Sequence, residues 1–533
     1  MSASVFLIAY LASLGLTAVS GLLFLTDRVP LRYIRVHANL FAIPFVIAVV
    51  SLSMAAGHAH IGPWATNRLG WVFAVYVTLL ALVVEKFSVR YLLGSAAYRK
   101  YFLALTIVLD VLAELWLVND LRWLVVGWTA AVVGLSLLQR LTNRGRDAVV
   151  ASRETLVTLG VGAAALIAVA VWLHSATHTW SLTVAFQALS HAHLPLSSSF
   201  VFDGLLVAAA IAPAAQWPFS RWLLDSVAAP TPVSAVMHAG FVNMGGILLA
   251  RFSPAFHSGW AVWLLFAVAV LSILRGAGVA LVHADYKRQL IGSTIAQMGF
   301  MLLQCAIGAY TAAIIHLILH GFFKSTLFLQ SGSAVTKPLA KTGSKAMAVG
   351  TDKPESSQLL SFTFSVLGGA AFGVIYVALT GLHSDRILSA ALLAWSVALA
   401  LRQIATVARQ TSIRLIALGL TAAVLAVFML VQVGITDLLR RGVSSTVLHP
   451  GAQVMTAVFL GVAVGSTFGL ALLRRFAPGV VAARLYLWLV WLGEPSRSVF
   501  VAVRALAAEP EPKPSNRPSQ QVRERRVNVH DVV

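Results

Sequence analysis

From Val5 to beyond Leu470, one apolar stretch of about 20 residues follows another, each the length that crosses the hydrocarbon core of a bilayer. Only 11% of the 533 residues are charged, against roughly 25% in soluble domains, so water cannot be the main solvent of the fold. The sequence therefore describes an all-α integral membrane protein of about 15 transmembrane helices.

The formal charge of +20 would suit a nucleic-acid partner were it not for where the basic residues fall. With the N-terminus outside and the sides alternating at each span, the inside loops collect Arg28, Arg32 and Arg35, then Lys86, Arg90, Arg99 and Lys100, then Arg140, Arg144, Arg146 and Arg153. The same holds for Lys337, Lys341, Lys345 and Lys353, and for Arg402, Arg409 and Arg414. The longest outside loop, about 174–202, has no Lys or Arg, only His174, His178, His191 and His193. This asymmetry is that of membrane topology and predicts no nucleic-acid partner, with the C-terminus in the cytoplasm if the span count is odd. Cys305, the only cysteine, lies in the apolar run MLLQCAIG and reads as a buried thiol. The first helix has no basic segment before it and is expected to be retained as a span.

Five regions are expected: N-terminal spans over 1–69, a core over 70–405, further spans over 406–480, an interfacial or partner-docking helix over 481–508, and a disordered cytoplasmic tail over 509–533. Two spans should be broken. Pro213 and Pro218 interrupt the seventh, and the twelfth carries Gly368, Gly369 and Gly373 before Gly381 and His383–Arg386. Breaks in corresponding places of two halves are the mark of an inverted-repeat transporter.

The ionisable residues inside spans are few. Asp110 and Glu114, in IVLDVLAELWLV, lie one helical turn apart on one face, and Glu85, in LVVEKFSV, lies nearer a helix end beside Lys86. Such groups either form a structural ion pair, the reading favoured for Glu85, or belong to a proton path. The eleventh span places His316, His320 and Lys324 at successive i, i+4 positions, about 6 Å apart along one stripe. Lys324 is the one lysine of nine deep within a span, and this line reads as a proton relay through water. Arg275 reads as a structural residue whose head snorkels towards the helix end.

Three long segments, APTPVSAVMHAGFVNMGGILLAR (229–251), ALVHADYKRQLIGSTIAQMGFM (280–301) and AAIIHLILHGFFKSTLFLQSGS (312–333), resemble antiporter-like subunits of the NuoL and MrpA type, ungapped and in the family's order. The resemblance covers roughly 70–400. It implies two inverted five-helix repeats, discontinuous helices 7 and 12, and an ion path of Lys, Glu, His and water that carries protons or Na+. By direct match it adds His238 and Lys287 to His316, His320 and Lys324. Three departures stand out. Thr129 follows Trp128 where the family has a glutamate, Pro213 replaces the lysine of the broken seventh helix, and Ser384, Asp385 and Arg386 replace the lysine-bearing motif of helix 12. Asp110 and Glu114, joined to the fifth span by a short loop, are expected to supply the missing carboxylate from the fourth.

This combination, in a chain shorter than NuoL that offers no long lateral helix, is similar to the membrane subunits of bacterial DAB-type inorganic carbon accumulation complexes. The resemblance implies that ion flow is coupled to CO2 hydration in a DabA-like, zinc-binding, β-carbonic-anhydrase-like partner on the cytoplasmic side. The zinc belongs to the partner, and this chain is expected to be a transporter subunit of the bacterial inner membrane without catalysis or cofactor of its own. A proton-pumping subunit of a complex I-like enzyme or a Na+/H+ antiporter is the alternative, and gene neighbours would separate the two.

Overall fold

The computed structural model describes residues 3–54, 58–142, 145–191, 196–256, 258–335, 355–380, 411–439, 449–476 and 479–494, with single positions between 390 and 401. Among these, nine helices are long and apolar enough to cross a membrane, and the chain is a multi-pass membrane protein. Each backbone donor in such a helix is satisfied within its own segment, which lipid requires.

The N-terminal layer is α1 (Ala3–Leu22), α2 (Tyr33–Leu40) and α3 (Ala42–Ser53), packed on α4 (Arg68–Tyr91) and α5 (Tyr98–Glu114). Asn67 starts α4 by accepting the Gly70 amide at 2.6 Å, satisfying one of the orphan donors of the first turn. At the opposite end of α5 a short hairpin, β1 (His60–Ile61) with β2 (Trp64–Ala65), meets Val118. Beyond it, Arg122 donates to Asp120 at 2.7 Å and holds that carboxyl below the usual carboxylate range.

Next come α6 (Leu121–Thr142), α7 (Arg146–Thr177), α8 (Leu182–His191) and α9 (Leu196–Ile211). The expected break in the seventh span follows, where α9 stops before Pro213 and the chain resumes as α10 (Arg221–Leu224) with a 3-10 turn over Asp225–Ala228. Ala215 takes a positive φ of 54° in this break, a conformation that costs an L-residue about 1–2 kcal/mol. The freed backbone groups find partners inside the protein. Trp222 Nε1 donates to the Ala212 carbonyl at 3.0 Å, Gln216 Nε2 to Ala214 at 2.6 Å, and the Trp217 amide to Ser272 Oγ at 2.9 Å.

The eighth span is also broken, which the sequence reading did not anticipate. It runs as α11 (Thr231–Ala239) and α12 (Met244–Phe252) with a 3-10 turn at Phe241–Asn243. The Ala239 carbonyl at this break accepts from Tyr76 Oη at 2.6 Å and from Asn243 Nδ2 at 2.5 Å. The α11–α12 span is wholly buried and packs on α4, α9, α14 (Tyr286–Ala306) and α15 (Tyr310–Val335). Between α12 and α14 stands α13 (Gly259–Val282), whose N-terminus is fixed by Asp203 of α9 accepting the Ser258 amide at 2.9 Å.

Downstream lie α16 (Glu355–Thr380), α17 (Thr411–Leu439), α18 (Ala452–Phe476) and α19 (Gly479–Gly493). The twelfth span, α16, is continuous through Gly368, Gly369 and Gly373. Those glycines lie where a Cβ would press on Leu401, Ala398 and Ala394, so they serve close helix packing and do not break the ladder. Residues 381–389, where the break was expected, lie outside the described residues, as does the tail over 509–533. Of the helix expected over 481–508, Gly479–Gly493 forms α19 and 495–508 lie outside the described residues; α19 packs on α13, with Arg275 of α13 donating to the Leu492 carbonyl at 3.4 Å and Arg288 of α14 pairing with Glu494 at 3.1 Å.

Small residues set the close contact of α13 with α14. Cβ atoms added at Gly276 of α13 and Gly292 of α14 would lie 2.6 and 2.7 Å from backbone nitrogens of the facing helix. Gly276→Leu should therefore force α13 and α14 apart, costing at least 1–3 kcal/mol by overpacking. Gly160→Ala, where nothing lies within 4 Å, should be neutral. The thermal midpoint of each purified variant in detergent checks the contrast, and equal midpoints would contradict it.

Candidate functional site

One face of α15 carries the expected line of ionisable groups, and the structure shows what surrounds each. Lys324 is 1% exposed. Its ammonium donates to Ser293 Oγ at 2.5 Å and reaches the Leu290 carbonyl at 3.5 Å, both on α14. No carboxylate pairs with it among the described residues. One turn earlier, His320 is buried, and neither ring nitrogen has a hydrogen-bond partner among the described residues. The His316 and His320 rings are 6.1 Å apart, and His316 Nδ1 meets Gln304 Oε1 at 3.3 Å.

His238, at the end of α11 just before its break, joins this line from the other side. Its ring stacks on Phe328 of α15 at 4.1 Å, Nδ1 meets Thr294 Oγ at 3.1 Å, and buried Nε2 has no partner among the described residues. Two histidines with unmet nitrogens beside a buried ammonium leave hydrogen-bonding capacity that water would fill.

Lys287 sits at the basic end of the same layer. Asp285 caps α14 by accepting the Lys287 and Arg288 amides, which aims the lysine back at the broken seventh span. Its Nζ donates to the carbonyls of Ala229 at 3.0 Å and Val227 at 3.4 Å, next to a cavity of about 420 Å³ that Tyr91, Ser95 and Pro230 also line. Lys287 thus does for the second half of the break what Trp222 and Gln216 do for the first.

The three acidic residues of the N-terminal layer stand apart from this line. Asp110 accepts from Thr17 Oγ of α1 at 2.9 and 3.0 Å. Helix α6 packs on another face of α5, with Gly127 and Gly134 against Val108, Val111 and Leu115. Asp110 is therefore turned towards α1 and away from Thr129, against the expectation that it fills the place of the missing glutamate on α6. Thr129 Oγ donates to its own helix, at the Val125 carbonyl, 2.8 Å away. Glu114 is half-buried one turn beyond Asp110. Glu85 is fully buried and its Oε1 lies 3.3 Å from Thr106 Oγ, with no ion pair to Lys86 among the described residues. The structural ion pair expected for it is replaced by a hydroxyl contact.

Sequence reasoning missed several groups that complete these sites: Ser293, Thr294 and Gln304 on α14, Tyr76 on α4, and His37 on α2. A Ser or Thr one turn from a buried ionisable residue on a neighbouring helix leaves little trace in sequence. The glycines around Gly240 and the polar Asn243 within an apolar run were the available signal for the second break.

Comparison with known proteins agrees with this architecture. The family model described as NADH:quinone oxidoreductase/Mrp antiporter, TM, matches residues 118–408. A relative from Bacillus subtilis named probable inorganic carbon transporter subunit DabB is 39% identical over 494 residues, covering 93% of this chain and 96% of its own length. Among solved structures, the Mrp complex from Dietzia sp. DQ12-45-1b matches with a TM-score of 0.59 at 22% identity, over 97% of this chain and 64% of the other. Respiratory complex I from Thermus thermophilus matches with a TM-score of 0.51 at 21% identity, over 87% of this chain and 98% of the other. The chain belongs to the NADH:quinone oxidoreductase/Mrp antiporter family of membrane subunits, and within it to the group of DabB inorganic carbon transporter subunits.

Proposed function

We propose that this chain is the cation-conducting subunit of an energy-coupled inorganic carbon accumulation complex, moving protons along the α15 line to drive CO2 hydration in a zinc-bearing partner on its cytoplasmic side. Its N-terminus lies outside and its C-terminus in the cytoplasm of a bacterial inner membrane. The observation that carries this reading is Lys324, a buried cation whose hydrogen-bond partners among the described residues are a serine hydroxyl and a carbonyl. A lysine kept for structure alone would be expected to have a carboxylate partner to offset its desolvation. One held by neutral acceptors is free to take and release a proton as nearby charge changes. His316, His320 and His238 extend the line, and Lys287 stands at its basic end.

Lys324→Met should abolish carbon-dependent rescue of a host lacking carbonic anhydrase, with the protein still present in the membrane at its normal level. Lys324→Arg should fail as well, because a guanidinium does not release its proton at working pH. Single replacement of His316 or His320 by Gln should lower rescue less, since water can bridge one missing member. Full rescue by Lys324→Arg would reduce the residue to a fixed charge.

The partner is the second element of this reading. The relatives' names denote transporter subunits, and the single cysteine of this chain, Cys305, is buried, so thiolate-held zinc belongs elsewhere. Native purification of the tagged protein should bring down a soluble subunit with stoichiometric zinc by elemental analysis. Rescue by this chain expressed without any partner would show the reading to be wrong.

A further inference from the structure

The N-terminal layer holds a continuous string of buried polar side chains that the α15 line does not use. Tyr33 Oη lies 2.8 Å from Ser20 Oγ, which lies 2.9 Å from His37 Nδ1. His37 Nε2 lies 2.8 Å from Thr106 Oγ, which lies 3.3 Å from Glu85 Oε1. His37 and Glu85 are both 0% exposed, and Glu85 Oε2 has no partner. Tyr33 is half-buried at the start of α2, beside the loop with Arg28 and Arg32, and gives the string an outlet.

Counting hydrogens limits how this string can be protonated. Thr106 Oγ has one hydrogen and three neighbours: the Phe102 carbonyl at 2.8 Å, which can only accept, His37 Nε2 and Glu85 Oε1. At most one neighbour receives that hydrogen. For both side-chain contacts to be hydrogen bonds, His37 Nε2 or Glu85 Oε1 must present a hydrogen of its own.

We propose that α1, α2, α4 and α5 form a second proton-exchange site, in which Glu85 and His37 trade a proton through Thr106 and reach the basic loop through Ser20 and Tyr33. Glu85 Oε1–H gives its proton to Thr106 Oγ as the hydroxyl's own proton passes to His37 Nε2. The imidazole releases its Nδ1 proton to Ser20 Oγ, Ser20 passes its own to Tyr33 Oη, and Tyr33 loses one to water. Each hydroxyl gains one proton and loses one, and Glu85 ends as carboxylate.

The other charged or titratable groups facing the site are Asp110 on α5, one turn beyond Thr106, and Tyr98, Tyr101 and the Arg35 guanidinium of α2 at its other end. Asp110, held by Thr17, and then Glu114 continue the same α5 stripe. The site is distinct from the α15 line because α4 divides them. Tyr76 faces the break in α11–α12 and Phe322 of α15, whereas Glu85, nine residues or half a rotation further, faces α5.

The test uses the full-length protein, with its co-purifying subunits, in proteoliposomes. Infrared difference spectra across a pH titration should show a protonated carboxyl band that Glu85→Gln removes, and an imidazole band of His37 that Glu85→Gln shifts. Thr106→Val should uncouple the two bands and lower dye-reported proton flux tenfold or more, while Thr106→Ser should restore both. Lys324→Met should leave the Glu85 and His37 bands and their dependence on Thr106 unchanged. Failure of the α15 reading would instead appear as proton flux through Lys324→Met. Glu85→Gln spectra that lose no carboxyl band relative to the parent protein, or band coupling and flux that are both normal in Thr106→Val, would overturn the proposal.

Discussion

Lipid offers no hydrogen bonds, so the break between Ile211 and Arg221 can exist only because side chains elsewhere close it. Trp222 and Gln216 satisfy the end of α9, Ser272 of α13 takes the Trp217 amide, and Lys287 of α14 takes the carbonyls at Val227 and Ala229. These contacts tie the broken span to the α13–α14 pair, which the facing glycines Gly276 and Gly292 bring into backbone contact. The placement of Ser293 and Thr294 then follows, because they come directly after Gly292 along α14. The geometry around Lys324 is thus inherited from the need to satisfy a few carbonyls.

The second break depends on the same rule with a different donor. At Gly240 the Ala239 carbonyl is taken by Tyr76 from α4, and the tyrosine hydroxyl needs the bare surface of Gly321 to reach it. Gly321 follows His320 directly, so the glycine that admits the tyrosine also fixes how closely His320 approaches α4. Backbone repair and the ionisable line share residues here. Substitutions at either break are therefore substitutions at the site.

The apolar runs made the membrane bundle legible, because length and hydropathy alone mark a span. The α15 stripe was equally plain, since His316, His320 and Lys324 repeat at the helical period within one sequence segment. Partners on other helices were not legible. Nothing in the run LVVEKFSV indicates that Glu85 meets Thr106 and not Lys86, because that depends on the rotation of α4 against α5. The rotation of α5 likewise carries Asp110 to Thr17 of α1, and only the packing of Gly127 and Gly134 on Val108, Val111 and Leu115 reveals it. The glycines of α16 misled for a related reason: a glycine within an apolar run marks close approach as often as it marks a break.

The loss of the family's glutamate on α6 acquires a physical meaning from these contacts. A carboxylate there would stabilise a charged lysine in the broken seventh helix, and here both positions are neutral, Thr129 and Pro213. Among the described residues Lys324 is met by hydroxyl and carbonyl groups, whereas the carboxylates of Asp110 and Glu85 meet Thr17 of α1 and Thr106 of α5. Separating buried positive and negative groups in this way forgoes the stabilisation of a direct ion pair, which often contributes little after desolvation. It also leaves each group free to change its protonation without breaking a salt bridge. Helix α4 stands between the two layers and presents Tyr76 to one of them and Glu85 to the other.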